Sequence, residues 1–375
     1  MAQTTEACDA RIAHVRSLMA ERGYDALVIR NNPDLRWLTG ADATFDAETA
    51  HTALITREGL WLHTDSRYYG TLLDRLGTGT AWNVDMEQVG HAQWLAGVVS
   101  AQRVRTLAIE GSLTLAFYEE VVRALEDAGC ACLMPRTHDE LLDLRAVKEP
   151  DELDLMRRAQ AITDAAFTHI CTYIEPGLTE QQIRAELEHY MLANGAAALS
   201  FSSIIASGPN GANPHAQPSD RKVERGDMIV MDYGACYHDY HSDMTRTVCV
   251  GAPSEEETHV YDVVRQVHET CAAAIHAGVI GSEIQELSCR LIAEAGYGDY
   301  YKHGLGHGVG LEIHERPNLG RTYDKVIPEG AVVTVEPGIY LPGRFGVRLE
   351  DFGVVTSDGF EPFTASPHAL TVVAK

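Results

Sequence analysis

Met228-Ile-Val-Met-Asp232-Tyr-Gly-Ala-Cys-Tyr-His-Asp-Tyr-His-Ser-Asp243 runs from an apolar strand-like stretch through a polar centre to a second aspartate. Both flanks read as strands, and the centre, with Gly234 and its polar neighbours, reads as the turn of a hairpin. A turn near Tyr237–His238 sets Asp232 and Asp243 face to face. A second stretch repeats the design. Val-Thr-Val-Glu336-Pro-Gly-Ile-Tyr-Leu-Pro342-Gly343-Arg-Phe-Gly-Val-Arg-Leu-Glu350 folds back at Pro342–Gly343, so that Glu336 meets Glu350. Residues directly opposed on an antiparallel pair lie roughly 5 Å apart, and like charges there repel. Asp-rich hairpins are commonly plain polar turns. Here the carboxylates lie inside Val/Ile-rich strands, whose interiors disfavour Asp, and buried unpaired carboxylates are costly. Two such pairs make sense with divalent cations between them.

Histidines supply the remaining donor. In His303-Gly-Leu-Gly-His307-Gly-Val-Gly310-Leu-Glu-Ile-His314, glycine recurs too densely for a helical pair of histidine ligands. A glycine-rich strand instead lets backbone approach a crowded site. A phosphate loop is the rival reading, but the Lys-Ser/Thr signature and a following helix are missing. Strand alternation puts His307 and His314 on opposite faces, so a bulge or strand end must intervene if both serve one site. His215 sits in a loop of turn residues ahead of the Asp232 strand. Arg348, two residues before Glu350, shares its strand face and can orient a ligand carboxylate. Tyr340 follows Glu336 by four residues and is a further candidate for the pocket wall.

At 375 residues two domains are expected. The net charge of −24, from 30 Lys+Arg against 54 Asp+Glu, argues against nucleic acid or an anionic membrane as partner. Eight scattered cysteines suggest free thiols in a reducing cytoplasm. The opening Met1-Ala-Gln-Thr-Thr-Glu-Ala lacks signal-peptide character, and no run approaches the roughly 20 apolar residues of a membrane span. Arg11–Arg22 carries a helical apolar stripe that stops at Gly23. Ala26–Ile29 and Leu107–Ile109 read as strands, Asn31–Asp34 as a loop, Thr52–Thr56 with Leu60–His63 as a hairpin, and Leu115–Ala128 as a helix. The domain boundary falls near Leu144–Glu152. A helix over Asp151–Tyr173 follows, then one capped by Thr179 and Gln182. Beyond Phe201 the chain is strand-rich, broken by helices near Glu255–Ala277 and Ser282–Ala295.

Asp243-Met-Thr-Arg246, Gly306-His307-Gly-Val-Gly with His314-Glu315, Glu336-Pro-Gly-Ile-Tyr340 and Gly346-Val-Arg348-Leu-Glu350-Asp351 resemble the motifs of the pita-bread, M24-type metallopeptidases. The resemblance runs from about Asp151 to the C-terminus. Asn32-Pro-Asp-Leu-Arg-Trp37-Leu-Thr-Gly40 resembles, more loosely, the creatinase/prolidase N-terminal module, which points to the Xaa-Pro aminopeptidase and prolidase branch. It implies an α/β N-terminal domain over 1–145 and an α+β pita-bread catalytic domain over 146–375. It further implies that Asp232 binds one metal, that Asp243 and Glu350 bridge both, and that His307 and Glu336 bind the second. His215, His303, His314 and Tyr340 then face the substrate, and His215, His314, Glu336 and Arg348 take part in catalysis. Two divalent ions per chain are expected, manganese first, with cobalt or zinc as alternatives.

The implied reaction is hydrolysis of the bond before proline, releasing the N-terminal residue of Xaa-Pro peptides by a cytoplasmic homodimer. An Xaa-Pro dipeptidase is the alternative, and a non-peptide C–N hydrolase or a non-catalytic binding protein on the same fold the reading of another class. Prolidases resembling this chain often carry an arginine shortly after the His-Glu motif to hold the dipeptide carboxylate. The matching position here is Asn318, with Arg316 displaced by two, which tilts the reading toward an aminopeptidase.

Overall fold

The computed structural model describes residues 5–46, 48–138 and 140–374, which fall into two units, Met1–Leu144 and Arg145–Lys375. The tetrapeptide at positions 1–4, which opens the segment read above for leader character, lies outside the described residues. In the first unit Ala26–Ile29 is flanked by Leu107–Ile109, parallel, and by Thr52–Thr56, antiparallel. Leu60–His63 and Trp82–Asp85 complete a five-stranded sheet. Helices His91–Ala101 and Leu115–Asp127 cover a core that includes Val28, Leu54, Leu95, Leu107 and Val121. The stretch read as a loop at Asn31–Asp34 instead opens a short helix, Asn32–Thr39. Pro33 pre-sets the helical φ in its first turn, and Gly40, at φ +70°, closes it. A proline that looks like a breaker here starts the helix.

The second unit uses one design twice. Helices Pro150–Tyr173 and Glu180–Ala193 pack on a four-stranded sheet ordered Thr371–Val373, Met244–Val250, Met228–Tyr233, Ile204–Ser207. Helices Glu255–Ala274 and Gly281–Glu294 pack on a five-stranded sheet ordered Glu315–Leu319, Gly306–Gly308, Val332–Val335, Asp351–Val355, Phe360–Pro362. Three of these helices begin at capping boxes, at Glu149/Glu152, Thr179/Gln182 and Ser254/Glu257, which satisfy the first-turn amides reciprocally. The first unit thus has the α/β and the second the α+β content expected of them. Among the described residues no helix is long and apolar enough to cross a membrane, and all eight cysteines are free.

The two ligand hairpins differ in register. His238 and Asp239 take positive φ, +49° and +70°, as the central pair of a two-residue turn, and Tyr237 pairs with Tyr240. That turn sits one residue beyond the expected place. Asp232 therefore pairs with Thr245 rather than Asp243. The offset is two residues, so Asp243 stays on the same face as Thr245 and lies diagonal to Asp232. The other hairpin turns at Pro342–Gly343, with Gly338 opposite Arg348 and Leu341 opposite Phe345. The same register continues beyond it, with Val335 opposite Asp351. Glu336 and Glu350 fall in the gap between the two ladders. Their amides donate elsewhere, to the carbonyls of Leu305 and Thr245 respectively.

Candidate active site

Asp243, His307 and Glu350 each point one ligand atom into a common space, all within 4.8 Å of one another. His307 Nε2 lies 3.5 Å from Asp243 Oδ2 and 3.6 Å from Glu336 Oε1. The strand over Gly306–Gly308 can carry His307 there because Gly306 has no side chain: a Cβ would lie 2.0 Å from the Thr334 carbonyl oxygen. Asp232 joins from the neighbouring sheet, and all five residues line one cavity of about 540 Å³.

The protonation pattern fits cations at this place. His307 Nδ1 donates to the Gly308 carbonyl, 3.1 Å away, so in the neutral ring Nε2 carries its lone pair toward two carboxylates. Burial pushes the His307 imidazole down to about 4, which favours the neutral ring at neutral pH. Lone pair facing carboxylate is repulsive unless a cation lies between them. The acids tell the same story. Burial, then the neighbouring carboxylates, drive Asp243 and Glu336 well above the usual carboxylate range. Burial and Asp232 push Glu350 up to about 8. Asp232 is also raised by burial, although Arg348 opposes the shift. Its Oδ2 accepts from Arg348 Nη2, while its Oδ1 is buried without a hydrogen-bond partner. A donor set of four carboxylates and one imidazole, with that orphaned oxygen, suits hard or borderline divalent ions.

Thr245, opposite Asp232, orders the ligands. Its hydroxyl donates to Glu350 Oε2 at 2.7 Å and accepts from Arg348 Nε at 2.9 Å. Arg348 Nη1 donates to the Tyr340 hydroxyl at 2.9 Å, and that hydroxyl lies 3.1 Å from His303 Nε2. His303 Nδ1 donates to the Gly304 carbonyl, so Nε2 is the acceptor and Tyr340 the donor. Arg348 thus fixes Asp232 directly and His303 through Tyr340. Sequence reasoning passed over Thr245, although it stands two residues after Asp243 and so shares its strand face.

His307 and His314 come together as a T-shaped pair with ring centroids 4.4 Å apart. Both conditions for this hold. A register shift separates His307, paired with Asn318, from Gly308, paired with Glu315, and His314 precedes the strand Glu315–Leu319. His314 and His215 are exposed at the cavity, free to meet a substrate. The His215 loop is pinned by Glu180, fully buried, whose carboxylate accepts from Ser207, Asn210 and Ser219. Its 3₁₀ turn Gly208–Ala212 packs on the strand Phe345–Arg348. There a Cβ on Gly346 would meet the Gly211 carbonyl at 1.9 Å. Glu180 was missed because in sequence it resembles an ordinary first-turn acid.

Glu315, next to His314, is held by two buried cations: Arg145 Nη2 at Oε1 and Lys148 Nζ at Oε2, the latter at 3.0 Å. Burial raises this carboxyl, yet Arg145 and Lys148 outweigh it and hold it at about 2. Glu315→Ala leaves the buried Lys148 without its acid and Arg145 with Glu312 as its remaining carboxylate, so stability should fall by about 3–5 kcal/mol, read as the urea midpoint. The sign with pH follows from the lowered pKa. This contribution is complete above the ordinary carboxylate value near 4.3 and is lost as pH falls toward about 2.

Comparison with known proteins gives the same picture. The model of metallopeptidase family M24 matches residues 154–357, and that of the creatinase/prolidase N-terminal domain matches 11–147. An Xaa-Pro dipeptidase of Pyrococcus horikoshii is 32% identical over 96% of this chain and 98% of its own length. Among solved structures, an Xaa-Pro dipeptidase from Bacillus anthracis superposes with TM-score 0.91 at 35% identity, covering 98% of this chain and 100% of that one. An X-Pro aminopeptidase from Thermotoga maritima superposes with TM-score 0.86 at 34% identity, covering 96% and 99%.

Proposed function

Since the chain belongs to metallopeptidase family M24 and carries the creatinase/prolidase N-terminal domain, we propose that it hydrolyses the bond before proline, releasing the N-terminal residue of Xaa-Pro peptides. One observation carries the reading: Asp232, Asp243, His307, Glu336 and Glu350 converge on a cavity whose rim holds His215, His303 and His314. These five residues would hold the divalent ions. We take manganese as the first choice because oxygen donors dominate the set, with cobalt or zinc as alternatives. When bound, two such ions supply Lewis acidity and a nucleophilic water near neutral pH.

The protein side of the chemistry falls to named groups. His314, exposed beside His307, donates to the carbonyl oxygen as it gains charge. Glu336, whose carboxylate faces the cavity, carries a proton toward the leaving proline nitrogen. His215, and His303 held by Tyr340, line the substrate channel. Arg348 keeps Asp232 and Tyr340 in place and so acts as a positioning residue. We take the enzyme to be a cytoplasmic homodimer, supported by the family resemblance and, for the compartment, by eight free cysteines.

Substrate length turns on the free carboxylate of a dipeptide. Among the described residues lining the cavity, Arg348 is the sole arginine or lysine, and its guanidinium is bound to Asp232, Tyr340, Thr245 and the Pro214 carbonyl. Asn318, neutral, stands opposite His307 where a carboxylate-binding cation would be useful. Peptides continuing past proline should therefore be cleaved at least as efficiently as dipeptides. Dipeptidase action is the second reading, supported by full-length relatives named for it. Comparing kcat/KM of the metal-loaded enzyme on Gly-Pro and Gly-Pro-Gly-Gly decides between them. Strict restriction to Gly-Pro, lost in Arg316→Ala, would make Arg316 the carboxylate clamp and overturn the length assignment. Inertness toward both peptides would overturn the proline-directed reading itself.

A further inference from the structure

Behind the catalytic strand lies another group of donors that the reaction does not use. His268 and Glu269 sit on the helix Glu255–Ala274, Asp351 opens the strand Asp351–Val355, and His368 lies in the segment before Thr371–Val373. One ligand atom from each of His268, Asp351 and His368 falls within 4.8 Å of the other two. The three line a cavity of about 380 Å³, walled also by Gly359, Phe360 and Pro362. Asp351 Oδ2 is the focus, 2.7 Å from His368 Nε2 and 3.6 Å from His268 Nε2.

His268 is the telling residue. It is 0% exposed, and neither ring nitrogen has a hydrogen-bond partner. Buried polar atoms are satisfied in the great majority of cases, so an imidazole with both nitrogens orphaned points to a missing partner. Asp351 Oδ2 does not serve, because at 3.6 Å it lies beyond a hydrogen bond. From these residues we propose that His268, Asp351 and His368 form a further metal site, suited to Zn2+ or a similar borderline ion bound by two imidazoles and one carboxylate oxygen.

Zinc bound at about 2.0–2.1 Å from each donor in tetrahedral geometry separates the donors by about 3.3 Å. The present spacings to Asp351 Oδ2, 2.7 and 3.6 Å, bracket that value, and the two histidine donors lie within 4.8 Å of each other. The surroundings suit the ion as well. Glu269 Oε1 lies 3.8 Å from His368 Nδ1 and adds a negative charge on the far side of the ring. Tyr261 Oη donates to the His368 carbonyl at 3.0 Å and steadies its backbone. Arg246, at 2.7 Å from Asp351 Oδ1, holds the carboxylate so that Oδ2 remains directed at the histidines.

The test uses the full-length protein and Zn2+ itself. Crystals grown with Zn2+ and measured at the zinc absorption edge should show an anomalous peak among His268, Asp351 and His368, apart from those at the catalytic centre. In solution, equilibrium dialysis with elemental analysis should find about one equivalent of zinc fewer per chain in His368→Ala, with the catalytic ions retained. His368 is partly exposed, so this variant should fold, and His268→Gln serves as the second. Peaks confined to the catalytic centre, with equal zinc content in wild type and His368→Ala, would overturn the proposal and leave the cluster a hydrogen-bonded relay.

Discussion

Asp243→Ala should abolish peptide hydrolysis while leaving the chain folded. Asp243 is the buried carboxylate shared between His307 and Glu350, and the proposed bridge between both ions. Metal ions contribute several kcal/mol of charge stabilisation in such reactions, so losing a bridge should cost kcat/KM on the order of 10³-fold or more. Circular dichroism should be unchanged, because removing a repelled carboxylate relieves the protein without its ions. Exhaustive chelation of the wild type should give the same loss, reversed by adding Mn2+. Full activity in the chelated, metal-free protein would end the mechanism. The raised acids also set a pH dependence. In metal-free protein, protons compete for carboxyls such as Glu350, pushed up to about 8, so ion affinity should weaken as pH falls below that value. The same shift makes the metal-free protein less stable as pH rises from near 4.3 toward about 8, where the unfolded chain ionises more readily. Ion titrations and urea midpoints at pH 6 and pH 8 read the two effects separately.

His314→Ala should lower kcat/KM by roughly 10²- to 10³-fold, the range for losing one oxyanion donor. Its metal content should match the wild type. His314 is exposed at the cavity rim, 4.4 Å in ring separation from His307, but does not belong to the group formed by Asp243, His307 and Glu350. A donor acting on developing charge is felt in kcat, whereas a residue that only binds substrate is felt in KM. The expected result is therefore a fall in kcat with little change in KM. Loss of an ion in the variant would make His314 a ligand. A change confined to KM would make it a substrate-holding group.

The sequence by itself pointed to a carboxylate-rich centre and determined most of the local structure. Carboxylates embedded in apolar sequence are legible because burying a charge is so costly that a counter-charge is implied, although only Asp232 of the four lies within a strand, the others flanking strand ends. Helix starts are legible because capping is local: Thr179/Gln182 close a helical turn within four residues. Proline at Asn32–Thr39 misled because the same fixed φ serves a turn and a first helical turn, and packing chooses between them. What only the tertiary structure decided is whatever depends on register or on contacts distant in sequence. A one-residue shift of the turn to His238–Asp239 set Thr245, not Asp243, against Asp232, and with it the link from Thr245 to Arg348 and Glu350. Turn conformation fixes pairing, and no composition reveals it. Glu180, Glu315 and His268 look like ordinary helix or loop residues in the chain. Their meaning comes from partners or gaps created when segments far apart in sequence are brought together, since a buried group is defined by what surrounds it rather than by its neighbours along the backbone.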